Sequence, residues 1–312
     1  MADAEAVSQG DGTRPGAFAI WFQAIRPMSL TAAAVPVMLG MAVAVRAGYF
    51  SLGRLALALA GAMAIQAGTN LINDYYDYLS GADTAESLGP SLVIQRGLLD
   101  PIQVWWGGIA AFALGSIAGL VLVLLCGWPI LVIGLLSVAA GYFYTASPVA
   151  LGYAGLGELT VFIFMGPAIV IGTYYVMALS FSWAALWASI PLGFLVAAIL
   201  HTNNIRDIES DPVHGKRTLA SALGRSGATA ELIALDAAAY VTTLAAVATR
   251  VLPWTMLLVL LALPRTLAEI AIVRRETNPK RLNLALFRSI QVHMEFGILS
   301  ILAFLAAAFF GL

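Results

Sequence analysis

The 312-residue chain is poor in cysteine, histidine and charge: it has one Cys, three His, and only 11% of its residues are Asp, Glu, Lys or Arg. A single Cys126, set in an apolar segment, excludes a disulfide framework and a thiolate zinc site. Sparse charge with a formal net charge of −1 gives no electrostatic footprint for nucleic acid. The start of the chain lacks a basic stretch followed by a short apolar core, so it does not have the form of a signal peptide. It is polar, with Asp3, Glu5 and Asp11, and residues 1–25 are expected to be a flexible tail, with Arg26 and Pro27 opening the first apolar span.

What is abundant is apolar. Hydrophobic residues make up 61% of the chain and the mean hydropathy is +0.89, against an apolar fraction of roughly 45–50% in soluble domains. Stretches long enough to cross a hydrocarbon core of about 30 Å fall near 29–48, 55–78, 103–125, 128–146, 158–179, 183–203, 230–249, 251–272 and 289–311. The expectation is an all-α, polytopic membrane protein with about nine transmembrane helices, residues 26–312 forming one domain. Lys and Arg accumulate in cytoplasmic loops. With the amino terminus inside, Arg14, Arg26, Arg96, Arg206, Lys216, Arg217, Arg225, Arg274, Arg275, Lys280, Arg281 and Arg288 share the cytoplasmic side, while Arg46, Arg54 and Arg250 face outward. This predicts a multi-pass protein of the cell (inner) membrane.

Against this background two clusters stand out: Asn70, Asn73, Asp74, Asp77 and Asp83 after the second span, and Asn203, Asn204, Asp207 and Asp211 after the sixth. The pairs 70/74, 73/77, 203/207 and 207/211 are spaced i,i+4, which places each on one helix face. Two such walls facing each other repel, since like charges about 4 Å apart cost on the order of 4 kcal/mol at an effective dielectric near 20. A cation between them removes that cost. Carboxylate, carbonyl and water oxygens suit Mg²⁺, which joins one or two protein carboxylates to substrate phosphates. The candidate metal ligands are Asn73, Asp74, Asp77, Asn203, Asp207 and Asp211, with the four aspartates as candidate catalytic groups. Helix capping does not explain the acids, because they sit where apolar helices finish, the unfavourable end of the macrodipole.

Each cluster runs into a loop carrying cations: Ser80 to Pro101, with Gly81, Gly89, Pro90, Arg96 and Gly97, and Pro212 to Gly227, with Gly215, Lys216, Arg217 and Arg225. Pro212 disfavours helix at Asp211. Cations beside metal-binding carboxylates match the surplus oxygens of a diphosphate. The candidates for diphosphate binding are Arg96, Arg206 and Lys216, with Asn70, Asp83 and Asn204.

In these segments the sequence resembles the UbiA-type membrane prenyltransferases, and among them the 1,4-dihydroxy-2-naphthoate polyprenyltransferases of menaquinone synthesis. The carrying residues are Asn70 to Asp83 (NLINDYYDYLSGAD), Gln95 to Gly97, Tyr144 and Thr145, Gly152 to Glu158 (GYAGLGE), and Asn203 to Gly224 (NNIRDIESDPVHGKRTLASALG). The resemblance implies a helical bundle with a central cavity open to the cytoplasm, Mg²⁺ as cofactor, and a polyprenyl diphosphate and an aromatic acceptor as partners within the bilayer. It implies prenyl capture at the acceptor carbon that bears the carboxylate, followed by loss of CO₂, giving a demethylmenaquinone precursor. The third acid of the first motif stands at Asp83, two positions beyond its place in the benzoate branch, and Leu92 replaces a basic residue common in the naphthoate branch.

The remaining polar residues carry two readings each. Tyr142 and Tyr144 can stabilise an allylic cation through their ring faces or belong to an interfacial belt. Glu158 can touch the acceptor or serve as a first-turn acid, and His201 can take a phenolic proton or be a satisfied core histidine. Tyr75, Tyr76 and Tyr78 read as packing residues, and Arg265, Glu269, His293 and Glu295 as interhelical pairs. Rival functions are prenyl transfer to homogentisate, hydroxybenzoate, a porphyrin-derived alcohol or a glycerol phosphate lipid, and, more remotely, ion-coupled transport.

Overall fold

The computed structural model describes residues 15–84, 87–89 and 91–312, so most of the expected tail, with Arg14, and the loop residue Pro90 lie outside the described residues. No strand occurs among the described residues. The expected tail ends earlier than residue 25: Ala17–Ala24 form a helix, α1. It is ordered because Ile20 and Ala24 are buried against Leu71, Val93, Ile94 and Val104, a contact no local pattern announces.

Among the described residues, eight stretches are long and apolar enough to cross a membrane. They are α2 (Pro27–Arg46), α3 (Leu52–Leu79), α4 (Pro101–Cys126), the pair α6 (Gly157–Ile163) and α7 (Ile169–Ala178), α8 (Trp183–Arg206), α9 (Leu219–Ala248), a 3₁₀ segment Trp254–Ala262 continued by α10 (Leu263–Arg275), and α11 (Pro279–Phe310). Helix α5 (Trp128–Tyr142) is the ninth apolar element, with 15 residues. At 1.5 Å per residue it spans only about 22 Å. Hydropathy placed the starts of the seventh and ninth spans near 230 and 289. The helices begin at Leu219 and Pro279, because each starts about three turns before its continuous apolar run, through stretches interrupted by Arg225 in α9 and by Lys280, Arg281 and Arg288 in α11.

Proline and glycine shape the bundle. A π turn at Phe164–Ala168, containing Gly166 and Pro167, joins α6 to α7. A Cβ on Gly166 would lie 2.7 Å from the Gly193 Cα, so α6–α7 and α8 meet backbone to backbone there. Gly224, at φ 67°, breaks α9 after its first turn. The main core gathers Leu39, Val170, Leu192, Leu195, Met256, Phe296 and Phe304 from α2, α7, α8, the 3₁₀ segment and α11. Outward residues are also apolar, as at Leu114, Ile117 and Leu124 on α4 and Phe309 on α11, which is the surface of a chain solvated by lipid. Between α10 and α11, Arg265 Nε meets Glu295 Oε2 at 2.7 Å. Glu269 instead accepts from Thr202 at 3.2 Å, and His293 is fully buried and makes no hydrogen bond with a described residue.

The chain runs up and down, so the segments after α3, α5, α8 and α10 emerge at one end of the bundle. At the other end Arg46 Nε donates to the Leu312 carbonyl at 3.0 Å. A cavity of about 280 Å³ runs inside α2 to α7. Its walls are Gly61, Ile65, Ile133, Phe164, Ile169 and similar residues; Asn73 and Tyr144 lie at one end and Leu57, Leu122, Ile130 and Val176 at the other. The sixteen-residue separation of Leu57 and Asn73 on α3 makes it about 24 Å deep.

Candidate active site

Directly above that cavity lies a cleft of about 750 Å³ into which both acidic motifs open. Asp77 and Asp83 line one side, and Asn203, Asp207 and Asp211 line the other. Asn73 faces the cavity and Asp77, one turn further along α3, faces the cleft, so the two residues mark their junction. The convergence follows because α3 and α8 finish at the same end of the bundle: Asp77 stands in the last turn of α3 and Asn203 in the last turn of α8, while Asp207 lies just past the end of α8 and Asp211 opens a 3₁₀ turn, so the second acid pair is carried by the chain after the helix and not by one helix face.

The acids are held by named partners. Asp77 accepts a hydrogen bond from the Tyr153 hydroxyl at 2.8 Å, and Asn73 Oδ1 accepts one from Thr145 Oγ1 at 2.9 Å. Asp74 is buried and forms an ion pair with Arg26. Arg206 grips Asp207 with both prongs of its guanidinium, Nε at 2.8 Å and Nη2 at 2.6 Å, and its other arm donates to Asn283 Oδ1 at 2.8 Å. Asp211 accepts from Lys216 Nζ at 3.2 Å. Burial pushes the Asp211 carboxyl up to about 6, against the pull of Lys216 and helped by Asp207. For Lys216 burial acts downward, but Asp211, Asp77 and Asp207 outweigh it and hold the ammonium above its ordinary value.

Among the sequence candidates, Asp77, Asp83, Asn203, Arg206, Asp207, Asp211 and Lys216 are brought together in the cleft. Others are placed elsewhere. Arg96 is exposed and does not line the cleft. The Asn70 amide donates to the Ile25 carbonyl at 2.8 Å and Ser29 Oγ at 2.6 Å, tying α3 to the α1–α2 junction. Asn204 Nδ2 donates to Glu158 Oε1 at 3.0 Å, and His201 Nδ1 meets the same oxygen at 3.0 Å. His201 Nε2 faces the Ala228 carbonyl at 2.9 Å, and the residue is wholly buried, so its ring is part of the α6–α8–α9 packing and not of the cavity wall. Tyr142 packs edge-on against Tyr76 and shares a 3.3 Å hydroxyl contact with it, whereas Tyr144 lines the cavity.

Sequence reasoning missed Arg26, Tyr153, Thr145 and Lys280. Arg26 was taken as a charge marking the membrane boundary, yet it lines the cleft from the left-handed residue that caps α2, at φ 55°. Lys280 lines the cleft from the start of α11. Arg225, read as a loop cation, lines the cleft as well, but its guanidinium is directed to carbonyls, including that of Val273 at 2.7 Å.

The donor set suits an oxygen-seeking divalent ion. Asp211 Oδ2 is buried and makes no hydrogen bond with described residues, whereas Asp74, expected as a ligand from the sequence, does not line the cleft and is buried against Arg26. Among the described residues no three acidic or imidazole side chains converge tightly enough to cage a metal by themselves. This fits Mg²⁺, which takes one or two carboxylates and completes its shell with water and phosphate oxygens.

The membrane helices place an acidic, cation-rimmed cleft over an apolar shaft, an arrangement that has room for an anionic head above and an apolar chain below. The chain belongs to the UbiA prenyltransferase family, whose sequence model matches residues 33–292. It is 33% identical over 291 residues to the 1,4-dihydroxy-2-naphthoate octaprenyltransferase of Bacillus subtilis (strain 168), covering 93% of each chain. It is 38% identical over 207 residues to the protein of that name from Mycobacterium tuberculosis, covering 66% of this chain and 70% of the relative. Among solved structures, the apo UbiA homolog from Aeropyrum pernix K1 superposes with a TM-score of 0.68 at 18% identity, over 86% of this chain and 97% of that one. The UbiA homolog from Archaeoglobus fulgidus bound to DMAPP and Mg²⁺ gives a TM-score of 0.63 at 18% identity, over 93% and 98%. The protein is therefore an integral membrane prenyltransferase with the UbiA fold.

Proposed function

We propose that this enzyme transfers a polyprenyl group from its diphosphate to 1,4-dihydroxy-2-naphthoate, with loss of CO₂, at a Mg²⁺-dependent site facing the cytoplasm. The observation that carries the reading is the stacking of the acidic cleft on the apolar cavity, joined at Asn73 and Asp77. A diphosphate in the cleft leaves its first isoprene unit at that junction and its tail in the cavity below. The naphthoate acceptor is supported by the names of the relatives, and the cytoplasmic orientation by the crowding of Lys and Arg at the acidic end.

Asp77 on the first motif, and Asp207 with Asp211 on the second, are the carboxylates we assign to Mg²⁺, no more than two to any one ion; the metal, when bound, would neutralise diphosphate charge and assist its departure. Arg206 and Lys216, now engaged by Asp207 and Asp211, stand where they can exchange those partners for diphosphate oxygens. The allylic C–O bond breaks with its electron pair going to the diphosphate, and the ring carbon bearing the carboxylate forms the new C–C bond. Expulsion of CO₂ returns the bonding pair to the ring and restores aromaticity. The Tyr144 ring lines the shaft at the level of Asn73, and the apolar walls keep water from the cation.

The test supplies purified protein with polyprenyl diphosphates of mixed length and a panel of aromatic acceptors, and identifies the lipid product by mass. A prenylated naphthoquinol lacking the carboxylate, formed only with Mg²⁺ and abolished in Asp77→Ala and Asp207→Ala, is expected. A product retaining the carboxylate, or formed from another acceptor in preference, overturns the reading.

A further inference from the structure

The segment between α5 and α6 touches both halves of the cleft. Its left-handed residue Ala150, at φ 42°, turns the chain into a short 3₁₀ helix, Leu151–Tyr153. Gly152 and Gly157 then pass against Tyr144 so closely that a Cβ on either would lie 3.0 Å from its ring or hydroxyl. This fixes the position of Tyr153. Its hydroxyl donates to Asp77 Oδ1 at 2.8 Å and meets Ser80 Oγ at 2.8 Å. Its carbonyl accepts from the Arg217 backbone N–H at 3.1 Å, beside Lys216. Five residues on, Glu158 in the first turn of α6 binds His201 and Asn204 of α8. One strap thus connects the end of α3 to the end of α8 and to the loop that follows it.

We infer that Tyr153 is a positioning residue for the leaving-group site: by donating to Asp77 Oδ1 it turns Oδ2 toward the cleft and sets the first acidic motif at a fixed distance from the second. This rests on the reading of Asp77 as a metal ligand. With Oδ1 engaged by the phenol, Asp77 would have its other oxygen left for an ion, and its rotamer is set by the hydrogen bond to Tyr153. Groups that orient a metal ligand typically contribute 10–100-fold to metal affinity.

The test measures binding without turnover. Full-length protein in detergent is titrated with an unreactive farnesyl thiodiphosphate by calorimetry at a series of Mg²⁺ concentrations. Tyr153→Phe, which keeps the ring, is expected to raise the Mg²⁺ concentration for half-maximal analogue binding by about 10–100-fold, with binding recovered at saturating Mg²⁺. In an Asp77→Asn background the same substitution is expected to add nothing, because the two act as a unit. A Tyr153→Phe shift within twofold of the parent, or an equal shift in both backgrounds, overturns the assignment. If Asp77→Asn itself leaves the Mg²⁺ requirement unchanged, the metal reading of Asp77 falls, and the positioning role with it.

Discussion

Arg26 and Asp74 lie 48 positions apart and form a pair whose side chains are mostly removed from solvent, 18% and 5% exposed. Removing the cation leaves a buried carboxylate without its partner, a change that typically costs about 3–5 kcal/mol. Arg26→Ala is therefore expected to destabilise the protein by that order in detergent denaturation, and the double change Arg26→Met with Asp74→Leu by less. Lys216→Ala is expected to lower turnover by about 10²-fold, the scale of losing one donor to developing negative charge. Arg96→Ala, which removes an exposed loop cation, should leave turnover within twofold of the parent in the same assay. Asp211 gives a pH dependence in the metal-free protein. Its carboxyl titrates near 6 when folded and at an ordinary value when unfolded, so between about pH 4 and 6 the folded state holds more protons. The contribution of this residue to stability is accordingly greatest at low pH and falls as pH rises through 6. Divalent ions compete with that proton, so Mg²⁺ affinity should fall by up to about tenfold per pH unit below 6; a flat profile would exclude Asp211 as a ligand.

At the scale of elements, the glycines separate into those that bring helices together and those that leave room. Gly166 stands within 3.0 Å of α8 backbone atoms once a Cβ is added, and neither helix can yield by a side-chain rotation. Gly166→Ala should cost about 1–3 kcal/mol, as overpacking does. Gly134 on α5 lines the cavity and has nothing within 4 Å of an added Cβ. Gly134→Phe fills the shaft without pressing on a neighbour. It is expected to raise KM for long polyprenyl diphosphates while the melting temperature holds or rises, a split read from kinetics and thermal unfolding of one preparation. Helix existence was legible because apolar runs of twenty or more residues permit little else in a bilayer. Helix ends were less so: the first three or so turns of α9 and α11 carry a weak hydropathy signal, and α1 is held by contacts with Leu71 of α3, Val104 of α4 and Val93 and Ile94 between them.

Across the whole molecule, the two acid-bearing ends had to meet for either motif to matter. Their positions in sequence put each set at the end of a helix, with Asp83, Asp207 and Asp211 just past it, and the up-and-down path brought α3 and α8 to the same end of the bundle. The partners were not readable in the same way. Arg26 reaches Asp74 across 48 residues and Tyr153 reaches Asp77 across 76, and no periodicity relates them. Asn70, Asn204 and His201 look like site residues, yet the amide nitrogens of Asn70 and Asn204 are spent on Ile25 and Glu158, and the His201 ring faces Glu158 and the Ala228 carbonyl.

The sequence by itself determined immersion in the membrane, the helical class, and the placing of acids and amides at the tips of two helices, because these depend on local composition and on the 3.6-residue repeat. The tertiary structure decided which cation faces which carboxylate, which polar groups are consumed in packing, and that a strap through Tyr153 ties the two halves together. Hydrogen bonds and ion pairs form or fail over about an ångström, a separation set by how helices cross and not by what any one of them contains.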